Sequence, residues 1–179
     1  VTVYCDPLDG TNEYAAGARE AVTVLLGVAV DGTPAAGVIG QPFYGGETRA
    51  DAGRVVWGGV GVGVRGLDVA DEASAPPPPP RGAHVVAVNR NVREGRQGPA
   101  LEALGSRADV VVSATGFHYL TLLERRAHSA LLLRKASKKW DTCAGEALLR
   151  ATGGVVTDAV GRRYDYSYDS NAVPNLSGM

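Results

Sequence analysis

The segment Asp6-Pro7-Leu8-Asp9-Gly10-Thr11 sets two carboxylates three residues apart, followed by a glycine and a hydroxyl. It follows Val1-Thr2-Val3-Tyr4-Cys5, whose β-branched and aromatic content reads as a strand. A distant segment, Lys138-Lys139-Trp140-Asp141-Thr142-Cys143-Ala144-Gly145-Glu146, offers a third carboxylate at a helix start. Oxygen donors suit a hard divalent cation such as Mg²⁺, which usually keeps some of its waters. Asp6 at a strand end can project past the sheet edge. Pro7 stiffens a turn there and leaves the Leu8 carbonyl free to point at the same spot, and Asp9 returns a second carboxylate. In two-metal sites one ion activates a water while the other stabilises the leaving oxygen. Metal-bound water loses its proton far more readily than bulk water. The Thr11 hydroxyl can orient that water. The N–H groups of Gly10 and Thr11 can face a phosphate oxygen at a helix N-terminus, and Gly10 lets the backbone come close. Taken singly, each segment also has a plainer reading. Asp-Pro-x-Asp-Gly-Thr is a good turn sequence, and Asp141 is a good helix N-cap.

The elements that must position these groups follow from pattern. Residues 22–30 are a continuous apolar, β-branched run and read as a buried strand. Asp31-Gly32 makes a hairpin turn to a return strand at 35–39, and strands follow at 54–57 and 60–64. Five consecutive prolines, Pro76 to Pro80, form an extended connector, either a surface linker or a ligand for a proline-recognising domain. Beyond it, strands at 84–88, 109–113 and 129–133 alternate with helices at 97–104, 117–126 and 141–152. Residues 155–166 read as a terminal hairpin. Alternating strands and helices point to a layered α/β domain. We divide the chain into residues 1–72 (a first sheet layer with the metal-binding loop), 73–82 (the connector) and 83–179 (a second, smaller α/β layer with the Trp-Asp helix).

The net charge of −1 gives no bulk attraction to nucleic acid or membrane, so an anionic substrate must be held by local groups or a metal. No apolar run reaches the roughly 20 residues that span a bilayer. Two cysteines make no disulfide framework and fit a reducing, cytoplasmic setting; Cys5 and Cys143 read as small packing residues. Gly61-x-Gly63-x-x-Gly66 matches a dinucleotide fingerprint, but a glycine-rich strand pair is the better reading, because no helix pattern opens at these glycines.

The two acidic segments together resemble the motifs of the lithium-sensitive, Mg²⁺-dependent phosphomonoesterases of the inositol monophosphatase superfamily. The likeness runs through Asn12-Glu13-Tyr14, Val22-Thr23-Val24-Leu25-Leu26-Gly27-Val28-Ala29, Ala36-Gly37-Val38-Ile39 and Gln41-Pro42-Phe43-Tyr44. These, with the Trp140-Asp141 segment, look most like the branch that removes the 3′-phosphate from 3′-phosphoadenosine 5′-phosphate. The resemblance implies a layered αβαβα sugar-phosphatase fold and two or three Mg²⁺ ions held by Asp6, the Leu8 carbonyl, Asp9 and Asp141. It implies Thr11 as the residue that helps activate water. It further implies a small phosphorylated substrate contacted by Gly10, Thr11, Asn89, Gly116, His118 and Asp141.

Three departures stand out. The family's Gly-Glu-Glu segment and an upstream aspartate are absent, so the chain reads as a fragment lacking the N-terminal helices and part of the first sheet. Exposed apolar sheet surface and poor solubility would follow. The family's Thr-Arg-Ser-His stretch stands here as Asn89-Arg90-Asn91-Val92, and a phosphate-neutralising lysine is replaced by His118. His118 reads as a substrate contact or as a helix-boundary residue, and His84 and His128 as structural. Lys138 and Lys139 either steer anions toward Asp141 or end a solvated strand. The alternatives to a nucleotidase are an inositol phosphate phosphatase of the same superfamily and a catalytically incomplete remnant.

Overall fold

The computed structural model describes residues 1–46, 53–67, 84–89, 97–111, 114–132 and 137–168. The polyproline connector, Arg90-Asn91-Val92 and the C-terminal residues 169–179 lie outside them.

The N-terminal half forms a five-stranded antiparallel sheet in the order β1-β2-β3-β4-β5. Its strands are β1 (Thr2–Asp9), β2 (Thr23–Val30), β3 (Thr33–Gln41), β4 (Arg54–Gly59) and β5 (Gly63–Arg65). The β2–β3 turn is the expected Asp31-Gly32, with both residues at positive φ (49° and 74°), as a two-residue hairpin turn demands. A short helix, α1 (Thr11–Ala15), follows β1 directly.

The second sheet is parallel, in the order β7-β6-β8, from β6 (His84–Val88), β7 (Ser106–Val111) and β8 (Ser129–Leu131). Helices α2 (Gln97–Ala103), α3 (Thr115–Leu123) and α4 (Lys139–Ala151) complete the domain. On one face of α3, Leu120 and Leu123 join Leu25, Ile39, Val56 and Val64 of the first sheet and Ala144 and Leu148 of α4 in one core. On its other face, Phe117 and Leu122 meet Val85, Ala87 and Ala130 of the second sheet. Leu101 of α2 packs on Val86 and Val88. α3 is thus packed between the two sheets, and α4 lies against the first sheet and α3, as a layered α/β fold requires.

Several details differ from the sequence reading. β1 does not stop at Cys5. It runs through Pro7 to Asp9, with its register against β2 shifting between Asp6 and Asp9. A proline is tolerated at such an irregularity because a ladder bond is already missing. Residues 60–62 form a turn, so β5 begins only at Gly63. Gly61, Gly63 and Gly66 all take positive φ around this hairpin, and no helix opens there. Residues 155–166 contain no strand; Asp158 instead closes a turn by accepting from the N–H groups of Val160 and Arg162. The apolar run of β2 buries only alternate residues. Leu26 and Val30 face outward with Val3, Val55 and Trp57, all at least 40% exposed.

Candidate active site

The register shift in β1 turns the two motif carboxylates to different tasks. Asp9 points inward. Its Oδ2 accepts from Thr23 Oγ1 at 2.8 Å and from the Gly116 N–H at 2.7 Å, and Oδ1 accepts from the Thr115 N–H at 3.4 Å. Burial pushes its pKa up, and these hydrogen bonds oppose the shift. A Cβ at Gly116 would collide with Thr23 Oγ1 and Leu25 Cδ2 and crowd the Asp9 carboxylate, so glycine there is what lets the first turn of α3 reach Asp9. Asp6 stays at the sheet edge and accepts from the Leu8 N–H at 3.1 Å, an Asx-type turn.

Asp141 sits on α4, but not at its N-cap. Lys138 is the N-cap, and Asp141 lies in the first turn, where its Oδ2 accepts from the Lys138 N–H at 2.7 Å. α4 reaches this place because two paired glycines clear its path. Gly27 and Gly37 stand opposite one another in β2 and β3. A Cβ on Gly27 would lie 2.6 Å from Cys143 Cβ, and one on Gly37 would strike the Ala144 main chain. The helix therefore rides directly on the sheet and carries Asp141 to the end of β1.

The outcome is one open cavity of about 220 Å³ lined by Asp6, Leu8, Asp9, Gly10, Thr11 and Asp141, together with Asn12, Glu13 and Ala114. No described lining residue is cationic. The Asp6 and Asp141 carboxyls both line it, close enough to interact. Burial first, then the charges of Asp6 and Asp9, push the Asp141 carboxyl up to about 6. Gly10, with φ at 89°, lets the chain turn from β1 into α1, and Thr11 is exposed at the first position of that helix.

The oxygen-only donor set and mutually repelling carboxylates fit a hard divalent cation. Among the described residues, however, no three acidic, histidine or cysteine side chains already form a ligand cage. Asp9 is engaged by Thr23 Oγ1 and the Gly116 N–H, and Asp141 by the Lys138 N–H.

Other expected residues lie elsewhere. Gly116 borders the site through Asp9 and is not in the cavity wall. Asn89 follows the C-terminal end of β6, outside the cavity lining. His118 is buried, with Nδ1 2.8 Å from the Ala114 carbonyl oxygen. It lines a separate, largely apolar cavity of about 390 Å³ together with His84 and His128. That cavity is the larger of the two, but it holds none of the three aspartates. Cys143 is packed, and burial pushes its thiol up to about 12, whereas Cys5 is exposed. Lys139 donates to the Ser167 carbonyl at 2.8 Å. Sequence reasoning gave no role to Thr23, the Thr115 and Gly116 amides, Asn12 or Glu13. Thr23 was the legible hint, a lone hydroxyl opening an otherwise apolar strand.

The sequence profile of the inositol monophosphatase family matches residues 1–178. The chain belongs to the inositol monophosphatase family. It is 36% identical over 171 residues to human 3′(2′),5′-bisphosphate nucleotidase 1, covering 94% of this chain and 53% of the relative. It is 34% identical over 173 residues to inositol monophosphatase 3 of Danio rerio, covering 93% and 46%. Inositol monophosphatase-II of Staphylococcus aureus superposes with a TM-score of 0.75 at 18% identity, over 98% of this chain and 63% of that one, and shares its fold. The chain thus spans about half the length of the curated relatives it matches. Within the family its likeness to the bisphosphate nucleotidase branch agrees with the motif reading.

Proposed function

We propose that this chain carries the metal site of a divalent-metal-dependent phosphomonoesterase. Its substrate is a bisphosphate nucleotide of the 3′-phosphoadenosine 5′-phosphate type, and its product is inorganic phosphate. The observation that carries the reading is the convergence of Asp6, Leu8, Asp9, Thr11 and Asp141, from the two halves of the chain, on one cavity without a cationic side chain among its described walls.

Asp6, the Leu8 carbonyl, Asp9 and Asp141 would hold Mg²⁺. When bound, Mg²⁺ supplies a Lewis acid for the phosphoryl oxygens and makes an attacking water acidic enough to act near neutral pH. The rest is the work of this chain's residues. Thr11 orients the attacking water through its hydroxyl. Gly10 keeps the backbone low enough for the phosphoryl group to approach. Asp9 is held rigidly by Thr23 and the α3 amides, so its position costs little reorganisation when the site loads. The Asp141 carboxyl, raised by burial and by the charges of Asp6 and Asp9, would ionise more readily with a cation beside it. Lithium inhibition is expected to accompany this chemistry.

One observation favours inositol monophosphate as a second reading. No Lys or Arg among the described lining residues stands ready for a second phosphate. The test is kcat/KM for phosphate release from 3′-phosphoadenosine 5′-phosphate and from inositol 1-phosphate, with and without Mg²⁺ and Li⁺. A Mg²⁺-dependent, Li⁺-inhibited preference for the nucleotide supports the leading reading. A preference for inositol 1-phosphate replaces it with the second, and silence on both substrates removes both.

A further inference from the structure

Tyr166 ties together the two elements that carry the carboxylates. Its ring is fully buried against Ala29 of β2 and Cys143 of α4. Its hydroxyl donates to Glu146 Oε2 at 2.8 Å and lies 2.9 Å from Thr142 Oγ1. Thr142 directly follows Asp141, and Glu146 is one turn further along the same helical face. The main chain of Tyr166 makes the opposite connections. Its carbonyl accepts from the Tyr4 hydroxyl at 3.0 Å, and its N–H donates to the Gly32 carbonyl at 2.9 Å in the β2–β3 turn. Tyr4 stands two residues before Asp6 on β1. The Tyr4 and Tyr166 rings meet edge to face with centroids 6.0 Å apart. The next residue adds a further tie, because the Ser167 carbonyl accepts from Lys139 Nζ at the start of α4.

We infer that Tyr166 is a positioning residue for the metal-binding carboxylates: by bridging the first turns of α4 to β1, it sets the separation of Asp141 from Asp6. The inference rests on the reading that those carboxylates hold a divalent cation. The phenol cannot be replaced by a ring alone. Phenylalanine would leave the buried Glu146 carboxyl and the Thr142 hydroxyl without this partner, and α4 would lose its fixed tether beside Asp141. A metal site senses displacements of about half an ångström in its supporting groups.

The test is calorimetric titration of Mn²⁺ into the metal-stripped chain. Tyr166→Phe is expected to weaken Mn²⁺ binding about tenfold or more, the range seen when groups supporting metal ligands are removed. Tyr4→Phe, which leaves the Tyr166 hydroxyl intact, is expected to weaken it several-fold, and it carries the test if Tyr166→Phe does not fold. Leu101→Ala, in α2 on the second sheet, serves as the control: it loses stability and keeps wild-type Mn²⁺ affinity. Wild-type binding with unaltered affinity in both tyrosine variants, or an equal loss in Leu101→Ala, overturns the inference alone. A wild-type chain that binds no Mn²⁺ overturns the metal reading and the inference with it.

Discussion

Asp6 of β1 and Asp141 of α4 meet in the lining of one cavity, close enough for each carboxyl to feel the other's charge. Two carboxyls that approach this closely cannot both be charged without cost, so the pair is poised either to hold a proton or to hold a cation.

That relationship sets a pH dependence. The Asp141 carboxyl is raised to about 6 in the folded chain, above its ordinary 3.8. Between these values the folded state binds the extra proton, so this group's contribution to stability falls as pH rises through the window. In chelator, Asp141→Asn removes the penalty. The variant's melting temperature, measured against wild type, is expected to gain steadily from about pH 4 to about pH 7. With saturating Mg²⁺ the order reverses at neutral pH, because only wild type gains from binding. A constant difference across pH in chelator would contradict the assignment.

Thr23 offers a prediction for the buried member of the trio. Its hydroxyl is the one side-chain donor to Asp9 among the described residues, and both residues are buried. Thr23→Val keeps the shape and removes the donor, which should destabilise the chain by about 1–3 kcal/mol in urea unfolding. A neutral result would mean that the Thr115 and Gly116 amides alone satisfy Asp9.

The glycine pair under α4 makes a steric prediction. Gly37→Ala drives a Cβ into the Ala144 main chain, and backbone cannot move aside as a flexible side chain can. A loss of about 1–3 kcal/mol is expected, with weakened phosphate release because Asp141 moves with the helix. Gly46→Ala is a poor comparison because of its positive φ, whereas Gly98, whose Cβ would meet nothing, provides the tolerant control.

Much of this arrangement was legible in the sequence because local pattern and chemistry agreed there. The Asp31-Gly32 turn, the β2–β3 hairpin and the α4 run each announce themselves within a few residues. The carboxylates of the cavity were legible as a motif, since Asp6 and Asp9 stand three residues apart beside a glycine and a hydroxyl, and Asp141 opens a helix run. What could not be read was fixed by contacts between distant residues. The extension of β1 through Pro7 depends on pairing with β2, and the tethering of Asp9 depends on α3. The 155–166 segment alternates like a hairpin, yet its polar groups go to the Asp158 turn and its Tyr166 to α4. His118 shows the same limit: its place in the sequence fits a substrate contact or a helix boundary, and the packing of α3 buries it toward the other cavity.

The most direct test of the central claim is phosphate release from 3′-phosphoadenosine 5′-phosphate as Mg²⁺ is titrated, with wild type and Asp6→Asn side by side. The account predicts saturable, Mg²⁺-dependent release by wild type and a loss of more than about a hundredfold in Asp6→Asn, beyond the range for groups that merely support metal ligands. Release by Asp6→Asn at the wild-type rate, or release by wild type in the presence of chelator, would contradict it.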